Sequence, residues 1–125
     1  SSYFLALKVG YPNKSDQILK SGSRAGGDIM IHGNCVTIGC IPLEDDPVKD
    51  VYMLCVEAKN NKSSPRVEIY PCKFTAENIK MLREDFDETK NNFWNNLSPA
   101  YTYFELNKVP VKYTVDKTGK YVFNN

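Results

Sequence analysis

Asp28-Ile29-Met30-Ile31-His32-Gly33-Asn34-Cys35-Val36-Thr37-Ile38-Gly39-Cys40-Ile41-Pro42-Leu43 is the stretch on which the reading of this chain turns. Its opening apolar run, Ile29-Met30-Ile31, reads as a buried strand. The strand delivers His32, the only histidine in the sequence. Gly33 breaks the regularity, and a tight loop closes on Thr37-Ile38-Gly39-Cys40. A sole imidazole and a thiol are thus returned to one another by a glycine-flanked loop, the pairing that nucleophilic catalysis by cysteine requires. The imidazole takes the thiol proton, and the ion pair that results favours the reactive thiolate. Gly39 permits a sharp turn, so the N–H of Cys40 and its neighbours can converge on a developing oxyanion. By residue type alone, a packed histidine and a buried thiol account for the same pattern.

The order His-Gly, then Thr-x-Gly-Cys, after an apolar strand resembles the active-site motif of the L,D-transpeptidase catalytic domain family (YkuD type), cysteine enzymes of the cell wall. The segment is most like the short-loop, YafK-like branch, with its Met-Ile-His-Gly-x-Cys-Val-Ser-Ile-Gly-Cys. The likeness covers nearly the whole chain. It takes in Gly10-Tyr11-Pro12-Asn13 with Asp16, residues 67–71, Phe93-Trp94 with Leu97 and Pro99, and Tyr101 with Tyr103-Phe104-Glu105. Three departures stand out. Ile38 occupies a position where the wider family often has a second His, and Pro42 one where it has an Arg. The loop from His32 to Cys40 is also short, with seven residues between them.

The resemblance implies acyl transfer on peptidoglycan stem peptides in the periplasm or cell envelope. Cys40 would be the nucleophile and His32 the general base and acid. The Gly33 carbonyl would orient the imidazole as the third member of a triad does. Gly39, with Cys40, would hold the oxyanion, and Thr37 would support the loop. An amine acceptor gives a crosslink and water gives hydrolysis. The branch resembles an amidase that releases a lipoprotein anchored to peptidoglycan, so hydrolysis is the expected outcome and transpeptidation the alternative. A non-catalytic peptidoglycan-binding module on the same fold is a further alternative, and a Cys35–Cys40 disulfide another. The resemblance implies no metal and no organic cofactor. Family domains carry additional sheet strands upstream, so the chain is expected to be an N-terminally truncated fragment or to have an incomplete sheet as given.

Composition sets wider bounds. The 125 residues, 42% hydrophobic and 25% charged, fit one globular domain spanning 1–125. A net charge of +1 gives no electrostatic case for nucleic acid. No apolar run approaches a membrane span, and no signal-peptide pattern is present. The four cysteines, Cys35, Cys40, Cys55 and Cys72, include no Cys-x-x-Cys pair. With one histidine, that argues against structural zinc. Cys55 and Cys72 fit either a bridge or two buried thiols.

Taken in order, residues 3–9 alternate as a strand. Residues 13–27 read as a loop punctuated by Gly22, Gly26 and Gly27, a flexible wall or lid without a Gly-Lys-Ser/Thr phosphate signature. Glu44-Asp45-Asp46-Pro47 starts a helix, with Asp as N-cap and Pro at the first helical position. Val48, Val51, Tyr52, Leu54, Cys55 and Ala58 give it one apolar face. Asp45 and Asp46 are read as caps rather than acid–base groups. Residues 66–70 alternate as a strand that turns Val67 and Ile69 to the core. Thr75 caps a second helix carrying Ile79 and Leu82. Phe86, Phe93, Trp94 and Leu97 share one side of a longer segment, and Ser98-Pro99 interrupts it before a last helix with Tyr101 and Phe104. Residues 111–115 and 120–123 form a closing β-hairpin. The expected class is α+β, a mixed sheet with helices in the C-terminal half.

Overall fold

The computed structural model describes residues 4–34 and 39–124. Among the described residues the class is α+β, with four helices, a mixed sheet and a closing antiparallel strand pair. The chain divides into two compact units, Ser1–Asn13 with Lys20–Val67, and Lys14–Leu19 with Glu68–Asn125.

The first unit is built on β1 (Ala6–Lys8), β2 (Met30–His32) and β3 (Ile41–Pro42). β1 runs antiparallel to β2, and β2 runs parallel to β3. Leu7, Ile31 and Ile41 are in register across the sheet, and so are Ala6, His32 and Pro42. Paired residues share a face and successive residues alternate. One face therefore carries the aliphatic row, and the other carries Ala6, Lys8, Met30, His32 and Pro42. β1 is shorter than the alternation of residues 3–9 suggests. Phe4 has φ 65, which an extended strand cannot include, and Tyr3 lies outside the described residues.

The helix of this unit, α2 (Asp45–Asn60), starts two residues earlier than its proline suggests. Glu44 is the N-cap and its side chain makes no capping bond. Pro47 falls at the third helical position, where the backbone N–H has no intrahelical acceptor to lose. The first helical bond runs from Val48 N–H to the Glu44 carbonyl at 3.0 Å. Asp45 and Asp46 remain favourable in the first turn, against the positive end of the helix dipole. Val48 is completely buried, and Val51, Tyr52, Cys55 and Ala58 are half-buried at helical spacing. Leu54 is off this stripe and 70% exposed.

In the second unit, residues expected to be loop form a helix, α1 (Lys14–Leu19), in the first half of the chain. It docks on the turn between β4 (Lys112–Val115) and β5 (Tyr121–Asn124), an antiparallel hairpin as the sequence indicates. The buried Ser15 hydroxyl donates to the Gly119 carbonyl at 2.6 Å, and Lys14 Nζ donates to the Val115 carbonyl at 2.9 Å. Neither partner could be read locally, since the sequence separations are 104 and 101.

Thr75 caps α3 (Ala76–Asp85), accepting the Asn78 N–H at 3.2 Å. Asp87 caps α4, accepting the Lys90 N–H at 2.9 Å. α4 runs unbroken over Glu88–Asn107 with Pro99 inside it, so the expected interruption at Ser98-Pro99 does not occur. A proline there removes one helical hydrogen bond and crowds the preceding turn. Tertiary contacts on both sides outweigh this. Before Pro99, the Asn96 amide both donates to the Tyr121 carbonyl, at 2.9 Å, and accepts the Tyr121 N–H, at 2.8 Å. Beyond it, Ala100 is buried, and the Tyr101 ring meets Tyr70 and Phe74 edge-on at 5.4 and 5.3 Å. Phe86 packs edge-on against Trp94 at 5.1 Å, so these rings serve packing, as their spacing suggests.

Residues 66–70 do not form the expected strand, and their alternation is reversed. Val67 and Ile69 are 45% and 57% exposed, whereas Glu68 and Tyr70 are half-buried. No described strand pairs with this segment, and the Tyr70 ring is drawn into the aromatic group on α4.

Candidate active site

His32 ends β2 and is 3% exposed. Its Nδ1 lies 2.6 Å from the carbonyl oxygen of Gly33. A carbonyl can only accept, so Nδ1 carries the proton in this contact and Nε2 carries the lone pair of the neutral ring. The main chain here is held from several directions. Gly33 N–H donates to the Leu5 carbonyl beside β1 at 3.0 Å, and the His32 carbonyl accepts from Leu43 N–H beyond β3 at 2.7 Å. Asn34, at φ 68, gives its N–H to Asp45 Oδ1 on α2 at 3.1 Å. Asparagine is among the few residues that take this left-handed conformation readily.

Cys40 is half-buried immediately before β3 and is a thiol, as are Cys55 and Cys72. Its Sγ lies 4.0 Å from the carbonyl oxygen of Asp28, at the outer limit for a sulfur donor. The parallel register sets the relation to His32. Pro42 is directly beside His32, and Cys40 is two residues earlier. Ordinary sheet spacing puts the His32 and Cys40 Cα atoms about 8 Å apart, within the combined reach of an imidazole and a thiol. Gly39 has φ 135 and open space around the position of a Cβ, so its backbone conformation, not crowding, calls for glycine. Thr37 and Cys35 lie outside the described residues.

The structure thus joins His32 to Gly33 and brings the strand that follows Cys40 alongside both. It adds two residues that the sequence reading did not assign to the site. Asp45, read there as a cap, spends a carboxylate oxygen on the loop after Gly33. Lys8 pairs with Asp28 at 2.9 Å, next to the carbonyl that Cys40 faces. The alternating pattern of β1 was the available signal for Lys8. Asp45 had none, because its partner is fixed only by tertiary structure. Among the described residues, no group of three or more His, Cys, Asp or Glu side chains is placed to hold a metal ion.

The chain is similar in sequence to two proteins named "Putative L,D-transpeptidase YafK", from Escherichia coli (strain K12) and Escherichia coli O157:H7, each 33% identical over 123 residues. The match takes in 98% of this chain and 47% of each relative, so the chain spans about half the length of the curated relatives it matches. No family model matches it. Among the described residues no helix is long and apolar enough to cross a membrane.

Proposed function

We propose that the chain acts as one catalytic domain for cysteine-dependent acyl transfer on peptidoglycan stem peptides, outside the cytoplasm, and that its usual outcome is hydrolysis of a diaminopimelate-linked amide. The observation that carries this reading is the 2.6 Å contact of His32 Nδ1 with the Gly33 carbonyl, on a strand beside the segment that follows Cys40. It leaves Nε2 as the basic nitrogen of a fixed, buried ring.

In this reading Nε2 takes the Cys40 proton and the thiolate attacks the diaminopimelate carbonyl. The N–H groups of Gly39 and Cys40 hold the oxyanion. The tetrahedral adduct collapses to a thioester as Nε2 returns the proton to the departing lysine amine. Water, deprotonated by the same nitrogen, then attacks the thioester and restores the thiol. The product is a protein, such as a lipoprotein, freed from its peptidoglycan anchor.

Water is favoured over an amine acceptor for two reasons. A transpeptidase must orient a second peptide, and seven residues between His32 and Cys40 are few from which to build that wall. Pro42 also supplies no cation beside the nucleophile. The test offers the protein a diaminopimelate–lysine amide with an excess of acceptor stem peptide, and follows products by mass. Freed peptide with wild type and none with Cys40→Ala is the expected result. A majority of crosslinked dimers would replace hydrolysis by transpeptidation, and binding without any turnover would leave a peptidoglycan-binding module.

A further inference from the structure

We propose that Lys8 is a specificity-determining residue that binds a carboxylate of the substrate beside Cys40, exchanging Asp28 for it. The inference rests on the function proposed above, and it follows from the register of the three-stranded sheet. Lys8 is opposite Met30, and Ala6 is opposite His32. Lys8 therefore projects from the same face as His32, displaced toward the end of the sheet where Cys40 enters β3. Met30 lies between Lys8 and the position of Cys40, and two strand spacings separate the two residues, about 10 Å between Cα atoms. A lysine stem covers more than half of that distance, which places the ammonium within reach of a ligand seated on the thiol.

The local electrostatics point the same way. Asp28 links the two groups, with its carboxylate 2.9 Å from Lys8 Nζ and its carbonyl oxygen 4.0 Å from Cys40 Sγ. Both side chains of the ion pair are well exposed, 60% for Lys8 and 64% for Asp28. Such a pair contributes little to stability and is opened at small cost. Asp28 thus occupies the cation as an internal anion that an incoming carboxylate can displace. Diaminopimelate offers such a group, since its second carboxylate is not part of the scissile amide. A cation from β1 would then do what Pro42, beside the nucleophile, does not.

The test measures binding separately from turnover. Calorimetry on Cys40→Ala compares a stem peptide ending in diaminopimelate, its distal carboxylate ionised, with the same peptide amidated at that group. The acid should bind roughly fivefold more tightly, the scale of one charge-assisted contact at a partly exposed site. Adding Lys8→Met should bring the two affinities together. Adding Asp28→Asn instead should tighten binding of the acid, because the competing anion is gone. Equal affinities in Cys40→Ala, an undiminished preference with Lys8→Met, or weaker acid binding with Asp28→Asn would each overturn the proposal. If the acid preference is present and depends on Lys8 while wild type cleaves nothing, the carboxylate site stands and the hydrolase reading falls.

Discussion

The carboxylate of Asp45 accepts the backbone N–H of Asn34 at 3.1 Å, tying the first turn of α2 to the residue that follows His32-Gly33. Gly33 is therefore held from both neighbours, by the imidazole on its carbonyl and by Asp45 one residue on. Because both partners are exposed, the bond is of small value to stability. In the function proposed above, its effect is to aim the carbonyl that would orient His32. Asp45→Ala should reduce kcat for amide cleavage about tenfold with KM nearly unchanged, the kind of loss that slight misplacement of a catalytic group produces. Asp45→Asn retains an acceptor oxygen and should restore most of it. A change confined to Tm, with kcat untouched, would show that Asp45 serves the helix alone.

His32→Ala should lower turnover by ~10²–10⁴-fold, the usual effect of losing a general base. The same variant should slow alkylation of Cys40 at neutral pH, while Cys55 and Cys72, elsewhere in the chain, keep their rates. Peptide mapping after brief iodoacetamide treatment reads all sites at once. A packing histidine would instead lower stability and leave Cys40 labelling as it was. Labelling of Cys35 ahead of Cys40 in wild type would reassign the nucleophile.

Gly119→Ala should destabilise the protein by roughly 1–3 kcal/mol in chemical denaturation. Gly119 has φ 89, and a Cβ there would come within 2.8 Å of Leu19 Cγ and 3.1 Å of Ile18 Cγ2. Both side chains belong to α1 and are well exposed, so they can move aside. The left-handed backbone cannot. Combining Gly119→Ala with Leu19→Ala should therefore recover less than half of the loss, and full recovery would make the contact, not the conformation, responsible.

Asp116 supplies a pH dependence with a definite sign. The Thr118 hydroxyl, then the N–H groups of Thr118 and Lys120, donate to its carboxylate and hold it below the usual value of 3.8. A depressed folded value means stability that is present above the ordinary carboxylate range and lost as pH falls through the lowered one. Asp87, held low chiefly by the Lys90 side chain, acts in the same direction. Asp116→Asn preserves an acceptor in the turn but cannot titrate. Its melting temperature should fall less steeply than that of wild type as pH is taken below 3.8, and parallel curves would remove Asp116 from the acid response.

What the sequence disclosed was whatever depends on local pattern. The Thr75 cap, the β4–β5 hairpin and the His32-Gly33 corner are each set by a few adjacent residues, and the structure has all three. Proline's local cost at Pro99 is outweighed by the Asn96 grip on Tyr121, 25 residues away and invisible to local pattern. Residues 66–70 are a like case, since alternation identifies two faces but not which one meets the core. At the candidate site, His32 and Gly33 were legible as a motif. Asp45 and Lys8 acquire their partners only when α2 and β1 are brought to the loop and to β2.

The seat of α1 on the hairpin turn has a consequence for how the chain is made. Ser15 leaves the ribosome 104 residues ahead of its acceptor on Gly119. Until then the segment Lys14–Leu19 has nothing of its own unit to rest on, since the remainder of that unit begins at Glu68. A six-residue helix does not persist alone in water. The strands on either side of it can pair during synthesis, leaving this short piece as an open loop. That unit must therefore take in the segment Lys14–Leu19 after residues 68–124 have been made.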